Sequence, residues 1–548
     1  MVLPIYISEG LERRYLLVRD GTNWARDDER RERLSPAPAR WLLESALRRR
    51  EPELMRALAA ALQIHNEDPE ELATRLLAQL AATGTIGGDL VLMQERLAGA
   101  PRLDQPTRHE PEAEEPPPPE PIAEDEPEDE PPQAKTTIRV SLFFDGTANS
   151  RANTLARETN SETYQKHKKQ GSFQNDYSNV SRLETLWIGD NTFEHSYSIY
   201  VEGIATTDGE KDSILGMALG TGGTGVKAKV KAGVTELLRG LGELDIAAGE
   251  IIERIHVDAF GFSRGAAAAR HFVHVVLNGD KPLQPQIEAR GHTVEQLEVN
   301  FVGLFDTVAS YGIKHSNDTA ELNLDAIQAA KKVVQLAAAE EHRKKFRLTD
   351  ISSAVGAGIG TELYLPGVHS DIGGGYVDGA EEVNRQILKL EGFSNAALKQ
   401  RFERERAWLK DAGWYHESEI AAVNFWNELK VTRRGIRSEY NRIPLQYMAD
   451  FASETGLIFE PVDVHHPVPP ELAMIHRILN AHVAAHLAGT ATSNSRYWIN
   501  KRGATFAELR HDYLHFSAYY GSPMGAHAPQ FSEGGAMSGE RQRVVQAG

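Results

Sequence analysis

The sequence contains no cysteine among its 548 residues. This absence excludes disulfide bonds, thiolate metal ligands and a cysteine nucleophile. The sequence also has no uncharged apolar run of about 18 residues, so we expect no membrane-spanning helix. Its first residues lack the basic start and apolar core of a secretory signal peptide. We therefore expect a protein that is made in the cytoplasm without a signal peptide and that needs another route if it is exported.

Basic residues are in the minority, with 60 Lys and Arg against 78 Asp and Glu, and the formal net charge is −18. This balance argues against a nucleic-acid-binding protein, which needs a basic surface. Residues 103–134 hold 12 acidic residues against one arginine, a net −11, together with ten prolines. Because like charges repel and proline favours extended chain, we predict a disordered acidic, proline-rich linker over residues 101–135.

The linker separates two regions with different sequence patterns. Residues 1–100 are predicted to form a small α+β module, and no motif in them carries chemistry. Between residues 136 and 525, short apolar β-branched runs alternate with helical stretches. This alternation is typical of an α/β fold with a mostly parallel sheet that helices cover on both faces. Residues 526–548 are rich in Gly, Ser and Gln and are predicted to be a flexible tail.

The predicted strands of the second region cover residues 138–144, 197–201, 255–260, 299–305 and 362–365. The predicted helices cover residues 224–239, 265–277, 324–343, 383–410 and 475–487. Helices of these lengths inserted between short strands predict a large single domain with helical insertions.

The strongest motif is Gly261-Phe262-Ser263-Arg264-Gly265, which lies between a predicted strand and a predicted helix. A serine at such a sharp turn projects its hydroxyl above the sheet, close to the N–H groups at the start of the helix. The two glycines allow the strand and the helix to approach closely. This context predicts that Ser263 is a nucleophile; the alternative is a strand–helix turn with an incidental serine.

A serine nucleophile needs a base, and the base needs an orienting acid. In α/β-hydrolases both follow the serine in the chain. Asp306 ends a predicted strand, although an Asp there could also cap a helix. His369 lies in a glycine-rich loop after another strand, and Asp371 could shape that loop or cap it. Chain order leaves other histidines open, of which the first two are better suited to packing: His271, His274, His465, His466, His511 and His515.

The oxyanion hole is predicted to combine the N–H of Arg264, the residue after the nucleophile, with a second N–H from another loop. The Asp145-Gly146-Thr147 turn, which follows the first strand of this region, is the predicted source of this second donor, through Gly146 or Thr147. Gly146 allows close approach, and Asp145 could fix the loop. The alternative is an ordinary turn in which the Asp side chain binds its own backbone. We expect no metal ion and no cofactor.

Five segments extend the pattern beyond the serine motif. They are FFDGTAN (143–149), GFSRGAAAAR (261–270), FVGLFDTVAS (301–310), LPGVHSDIGGGY (365–376) and YNRIPLQYM (440–448). In this order they resemble the catalytic domain of the type VI secretion phospholipase effectors of the GxSxG α/β-hydrolase kind, over about residues 137–520. The resemblance implies that Ser263 is the nucleophile, Asp306 the orienting acid and His369 the base, and so selects His369 among the histidines.

The same resemblance implies an antibacterial phospholipase A-type serine hydrolase that cleaves membrane phospholipids in the periplasm or membrane of a target cell. It further implies delivery by the type VI apparatus, a first module that docks on its spike or tube, and an immunity protein in the producing cell. Two alternatives stay open: an intracellular carboxylesterase or lipase of the same fold, and a non-catalytic binding scaffold. The aromatic and basic residues of 388–426 suit either a lipid-docking surface or a helical subdomain with a buried core.

Overall fold

The computed structural model describes residues 4–9, 13–20, 23–26, 134–213, 222–247, 250–309, 318–389, 396–489, 498–499, 505–519 and 543–548. The chain divides into two units, Met1–Pro131 and Pro132–Gly548. In the first unit, strands β1 (Pro4–Glu9), β2 (Arg13–Asp20) and β3 (Asn23–Arg26) form an antiparallel sheet. The predicted helices of this unit and residues 101–133 of the predicted linker lie outside the described residues.

The strands of the second unit are β4 (Lys135–Phe144), β5 (Trp187–Gly189), β6 (His195–Val201), β7 (Ile251–Phe262), β8 (Thr293–Phe305), β9 (Lys332–Ala338), β10 (Leu348–Thr349), β11 (Gly360–Leu365), β12 (Ala380–Lys389), β13 (Glu428–Ile436), β14 (Ile458–Phe459) and β15 (Val545–Gln546). Its α-helices are α1 (Arg151–Glu158), α2 (Glu162–His167), α3 (Gly171–Gln174), α4 (Asn179–Leu186), α5 (Val226–Leu241), α6 (Arg264–Asn278), α7 (Leu283–Glu288), α8 (Thr319–Leu322), α9 (Ser352–Gly356), α10 (His369–Gly373), α11 (Ala396–Asp411), α12 (Arg442–Ser453), α13 (Val462–His465), α14 (Ala473–Leu487) and α15 (Ala507–Asp512). Short 3-10 helices cover Gly222–Thr224, Leu324–Ala329, Glu417–Glu419, Glu439–Asn441 and Pro470–Leu472.

A six-stranded parallel sheet forms the centre of the second unit, with the strand order β11-β9-β8-β7-β4-β6. Successive side chains of a strand point to opposite faces, and the buried residues follow this rule. Phe143 and Phe260 belong to one hydrophobic cluster, whereas Leu142, Phe144 and Ala259 belong to another. The sheet therefore has an apolar core on each face, as the α/β prediction requires.

The helix after the serine motif packs closely on this sheet. Residues 266–269 of α6 are four alanines, and all four are fully buried. Alanine is the best helix former and has the smallest side chain that does not loosen a helix. The run therefore brings the backbone of α6 near β7 and β8 and fixes the start of the helix at the edge of the sheet.

The five predicted strands are all present, but the predicted helix over residues 324–343 is wrong. This segment forms a 3-10 helix, Leu324–Ala329, followed by β9, which lies between β8 and β11. Its alanines favour helix, but the apolar run of β9 gains more by filling the sheet. Gln335 is buried within this strand and donates to Thr349 O at 3.0 Å and to Glu362 Oε1 at 2.7 Å.

The predicted helix over residues 383–410 is also only partly correct. Its first part is β12, which pairs antiparallel with β13, and its second part is α11. The aromatic residues of this region divide between buried and exposed positions. Phe402 and Trp414 are buried in the core, whereas Phe425 is 91% exposed and Trp426 is 71% exposed. Within the described ranges, no helix is long and apolar enough to cross a membrane.

The predicted flexible tail has an ordered last part. Residues 543–548 include β15, which pairs in parallel with β10. Asp350 N donates to Gln546 O at 2.9 Å, and Gly548 N donates to Asp350 Oδ1 at 2.9 Å. These backbone bonds and the burial of Arg543 order the segment, which we call the β15 segment below. The prediction of flexibility is therefore wrong for residues 543–548, and residues 526–542 lie outside the described residues.

Candidate active site

The serine motif forms a strained turn between β7 and α6. Ser263 has φ 60° and ψ −125°, a backbone conformation that a non-glycine residue adopts only where its surroundings enforce it. A Cβ atom on Gly261 would lie 2.4 Å from Gly265 O, and one on Gly265 would lie 2.2 Å from Asp145 O. Both glycines are therefore required by close backbone contacts, and the turn holds Ser263 at the carboxyl edge of the sheet.

Asp306 lies at the end of the neighbouring strand. Phe262 of β7 pairs with Phe305 of β8, so Ser263 and Asp306 follow directly after paired residues. The N–H of Ser263 donates to Phe305 O at 3.0 Å. Asp306 also has a positive φ, 50°, and is fully buried. Two adjacent strands thus end in two strained residues that carry a hydroxyl and a carboxylate.

His369 begins α10 and is the histidine that contacts Asp306. Its Nδ1 donates to Asp306 Oδ2 at 2.5 Å, because an ionised carboxylate can only accept. Its ring lies 4.7 Å from the ring of Phe262, the residue before Ser263, and 5.0 Å from that of Phe346. With Nδ1 bound to Asp306, Nε2 is the ring nitrogen left to accept a proton from a serine hydroxyl.

Burial and nearby charges act on both members of this pair. Burial lowers the pKa of His369 below its ordinary 6.5, and the positive charges of Arg343 and Arg543 act in the same direction, while Asp306 opposes them. Burial alone would raise the pKa of Asp306, but Arg543 and His369 outweigh it, and the pKa lies below its ordinary value. At neutral pH the pair is therefore a carboxylate and a neutral imidazole, which is the state a general base needs.

The loop that carries His369 is held by two further carboxylates. Asp371 Oδ2 accepts from Val368 N at 2.9 Å, which closes the start of α10. Glu341 is fully buried, accepts from His369 N at 3.3 Å and pairs with Arg343. The Arg343 ion pair outweighs burial and holds the pKa of Glu341 well below its ordinary range. Both carboxylates thus fix the backbone on which the imidazole stands.

The predicted oxyanion residues lie together, although one of them is already engaged. Arg264 Nε donates to Thr147 Oγ1 at 2.8 Å, which ties the start of α6 to the turn after β4. The N–H of Gly146 donates to Asp145 Oδ1 at 2.6 Å, and the other carboxylate oxygen accepts from Tyr200. The N–H of Thr147 makes no hydrogen bond with the described residues. Thr147 is therefore the better candidate for the second donor.

The other candidate histidines lie elsewhere or have other partners. His271 is a residue of α6, and its Nδ1 donates to Leu322 O at 2.8 Å. His511 contacts Glu419 and Asp512, and His465 lies 3.6 Å from Glu460 at the surface. The remaining candidates contact none of Ser263, Asp306 or His369 through a hydrogen bond in the described residues. His515 forms a buried pair with Asp371 at 2.9 Å.

Three functional candidates were missed from the sequence. Glu341 and Arg343 follow β9, which the helix prediction concealed. Arg543 lies in the predicted flexible tail, and its guanidinium binds both carboxylate oxygens of Asp306. No motif surrounds these residues. A correct prediction of β9 would have placed Glu341 near the carboxyl edge of the sheet, but nothing in the sequence indicates the position of Arg543.

The parallel sheet, the strained serine turn and the strand-end positions of the acid and histidine define an α/β-hydrolase-like fold. Comparisons with known proteins agree with this class. Residues 280–400 match the family described as T6SS phospholipase effector Tle1-like, catalytic domain. The resemblance predicted from the sequence is thereby confirmed for this part of the chain. The matched residues include Asp306 and His369, whereas Ser263 lies before them.

One solved structure shows the same fold. The structure of the Tle1 effector bound to the VgrG spike of the type 6 secretion system matches with a TM-score of 0.52 and 24% sequence identity. The match covers 76% of this chain and 95% of that chain. An uncharacterized protein from Pseudomonas aeruginosa matches with a TM-score of 0.36 and 18% identity, covering 68% of this chain and 53% of the other. No curated protein sequence matches the chain.

Proposed function

We propose that this chain is a phospholipase A-type effector of a type VI secretion system that hydrolyses acyl esters through Ser263, His369 and Asp306. One observation carries the proposal: a buried His369–Asp306 pair with an Nδ1–Oδ2 distance of 2.5 Å lies against Phe262, the residue before the strained Ser263. The matched family, whose name describes phospholipase effectors, supplies the substrate class.

In the proposed reaction, His369 Nε2 takes the hydroxyl proton as Ser263 Oγ attacks the carbonyl carbon of a fatty acyl ester. The oxyanion that forms would accept from the N–H groups of Arg264 and Thr147. The ester C–O bond then breaks, and His369 returns the proton to the departing glycerol oxygen. Water, deprotonated by the same imidazole, releases the fatty acid from the acyl-enzyme and restores Ser263.

The test uses the purified full chain and vesicles of phosphatidylethanolamine and phosphatidylglycerol with different sn-1 and sn-2 chains. Mass spectrometry of the fatty acid and lysophospholipid products measures both the rate and the position of cleavage. We expect Ser263→Ala to lower turnover at least roughly 1,000-fold. Ser181→Ala is the matched control, since Ser181 is also buried but its hydroxyl has no partner within the described residues. Equal turnover by Ser263→Ala and the wild type would reject Ser263 as the nucleophile.

The same assay separates the two alternative functions. A carboxylesterase would hydrolyse a short soluble ester such as p-nitrophenyl butyrate far faster than vesicle lipid. A binding scaffold would hydrolyse neither substrate in a Ser263-dependent way. Preference for vesicle lipid, with loss in Ser263→Ala, supports the phospholipase.

We further propose that the protein binds the type VI spike and that the producing cell makes an immunity protein against it. The related effector of known structure is bound to a VgrG spike, and it matches only 76% of this chain. We assign docking to residues 1–100, as the resemblance implies, and residues 132–548 are the alternative. Removing residues 1–131 should spare lipid hydrolysis and abolish binding to the cognate spike protein; retained binding would assign docking to residues 132–548.

A further inference from the structure

The β15 segment, residues 543–548, lies beside the end of β8 although it follows Asp306 by more than two hundred residues in the chain. Val545 and Gln546 pair with Leu348 and Thr349 of β10. The N–H of Thr349, in turn, donates to Thr307 O at 3.0 Å, one residue after Asp306. The segment is thus connected to the backbone of the acid through a continuous series of main-chain hydrogen bonds.

The first residue of this segment, Arg543, binds both carboxylate oxygens of Asp306 through its guanidinium. Nη1 lies 2.5 Å from Asp306 Oδ1, and Nη2 lies 2.9 Å from Oδ2. Nε donates to Phe346 O at 2.8 Å, and Nη1 also donates to Ala338 O at 3.0 Å. The side chain is buried, with an exposed fraction of 2%. Because all three nitrogens have acceptors, the plane of the guanidinium is fixed by groups on several elements.

Asp306 in turn receives donors on both oxygens. Oδ1 accepts from Ala338 N at 2.8 Å and from Arg543, and Oδ2 accepts from His369 Nδ1 and from Arg543. Removing Arg543 would leave one donor on each oxygen and would let the carboxylate rotate about its Cβ–Cγ bond. The Nδ1–Oδ2 contact that orients the imidazole would then lose its fixed geometry.

We propose that Arg543 is a positioning residue that holds the Asp306 carboxylate in place for its hydrogen bond with His369 Nδ1, so that the β15 segment completes the site. This inference rests on the proposed serine hydrolase function. Arg543 acts through Asp306 and does not touch the reacting atoms. The charge of the guanidinium acts on the pKa of His369, and its geometry acts on the position of the carboxylate. Substitution by lysine keeps the charge alone, and substitution by methionine removes both.

The charged groups that face His369 set the sign of the pH effect. Asp306 raises the pKa of the imidazole, and Arg343 and Arg543 lower it, in addition to burial. Glu341 faces the backbone N–H of His369 and is paired with Arg343. Asp371, two residues after His369 in the first turn of the same helix, is paired with His515. Loss of the Arg543 charge therefore raises the pKa of His369, and the acidic limb of the activity profile moves to higher pH.

The experiment compares Arg543→Met and Arg543→Lys in the full chain. We measure kcat and KM on phospholipid in mixed micelles, and the rate of Ser263 labelling by a fluorophosphonate, each as a function of pH. For Arg543→Met we expect kcat to fall roughly 10- to 100-fold at nearly unchanged KM, and the acidic limb to rise by about half a pH unit or more. Arg543→Lys should restore the position of the limb but only part of kcat, because lysine keeps the charge and lacks the planar fork.

Arg139 provides the matched control. It is as buried as Arg543 and also binds both oxygens of an aspartate, with Nε 2.8 Å from Asp258 Oδ2 and Nη2 2.9 Å from Asp258 Oδ1. Arg139→Lys and Arg139→Met should lower the melting temperature and leave the acidic limb where it is. A stability loss without a change of limb in Arg543→Met, as in the Arg139 variants, would overturn the positioning role.

The outcomes also separate this inference from the proposed function. If Ser263→Ala abolishes labelling and hydrolysis while Arg543→Met matches the wild type in kcat and limb, only the role of Arg543 fails. If the wild type is not labelled at Ser263, the proposed function fails. In that case the role of Arg543 is tested separately by titrating ¹⁵N-labelled His369 by NMR. If the pKa of His369 does not rise in Arg543→Met, the contact between Arg543 and Asp306 is contradicted.

Discussion

Two buried histidine–aspartate pairs lie close together in this protein, and their surroundings differ. His369 Nδ1 binds Asp306 at 2.5 Å, and His515 Nδ1 binds Asp371 at 2.9 Å. The ring of His369 lies against Phe262, next to the strained serine. The ring of His515 stacks on Tyr376 at 3.7 Å, and its Nε2 is buried with no partner within the described residues. A buried histidine–aspartate pair therefore does not by itself distinguish the proposed base, His369, from His515.

The charges around the two carboxylates differ as well. Asp306 is bound by Arg543, and its pKa lies below the ordinary value although burial acts against this. Burial raises the pKa of Asp371, and the hydrogen bonds from His515 and from Val368 N only partly oppose it. The shifts fit the proposed roles, in which an ionised Asp306 stabilises an imidazolium and Asp371 fixes the backbone of the loop that carries His369.

The largest expected effect comes from exchanging each carboxylate for an amide. Asp306→Asn should lower kcat about 10⁴-fold, because an amide that donates to Nδ1 favours the wrong imidazole tautomer. Asp371→Asn should cost only about tenfold, since its carbonyl oxygen can still accept from Val368 N. The measurement is kcat on phospholipid in mixed micelles at pH 8. Equal losses in the two variants would remove the distinction between the pairs.

A smaller effect is expected from the proposed second oxyanion donor, which belongs to the same candidate site as the His369–Asp306 pair. Thr147→Pro removes the N–H that we assign to the oxyanion hole and should lower kcat roughly 100- to 1,000-fold. Thr147→Ala keeps this N–H and loses only the bond from Arg264, so kcat should fall less than about tenfold. Melting temperatures identify variants that fail to fold. Equal activity of the two variants would exclude Thr147 N–H as a donor.

The pH dependence gives the smallest effect. A base must be neutral to accept the serine proton, and the pKa of His369 lies below 6.5 because of burial and its two arginine neighbours. Activity should therefore persist as the pH falls through 6.5 and be lost only below it. The profile of kcat/KM against pH for the wild type measures the limb. A limb above pH 6.5 would indicate that another group is the base, or that Asp306 outweighs burial.

The positions of three candidate site residues after strands follow from the sequence. Ser263, Asp306 and His369 each come after an apolar run, and parallel strands bring their carboxyl ends to one edge of the sheet. The resemblance to the effector family was needed to select His369, since chain order could not exclude His515. The structure contains the same pair of candidates, because both histidines are buried beside a carboxylate.

What the sequence could not predict depends on contacts between distant segments. β9 was predicted as helix because its flanking alanines favour helix, and only pairing with β8 and β11 makes it a strand. Arg543 lies in a polar stretch without periodicity, and it reaches Asp306 from 237 residues away in the chain. The Asp145 side chain binds the N–H of Gly146, a predicted oxyanion donor, and this local contact is one that composition does not reveal.

Replacing each of the two histidines by alanine tests most directly the central claim that His369 is the base. His369→Ala and His515→Ala are compared in the vesicle assay, with the extent of folding measured for each by melting temperature. We predict that His369→Ala loses at least roughly 1,000-fold in turnover, while folded His515→Ala stays within about tenfold of the wild type. Retained turnover in His369→Ala together with its loss in folded His515→Ala would contradict the account.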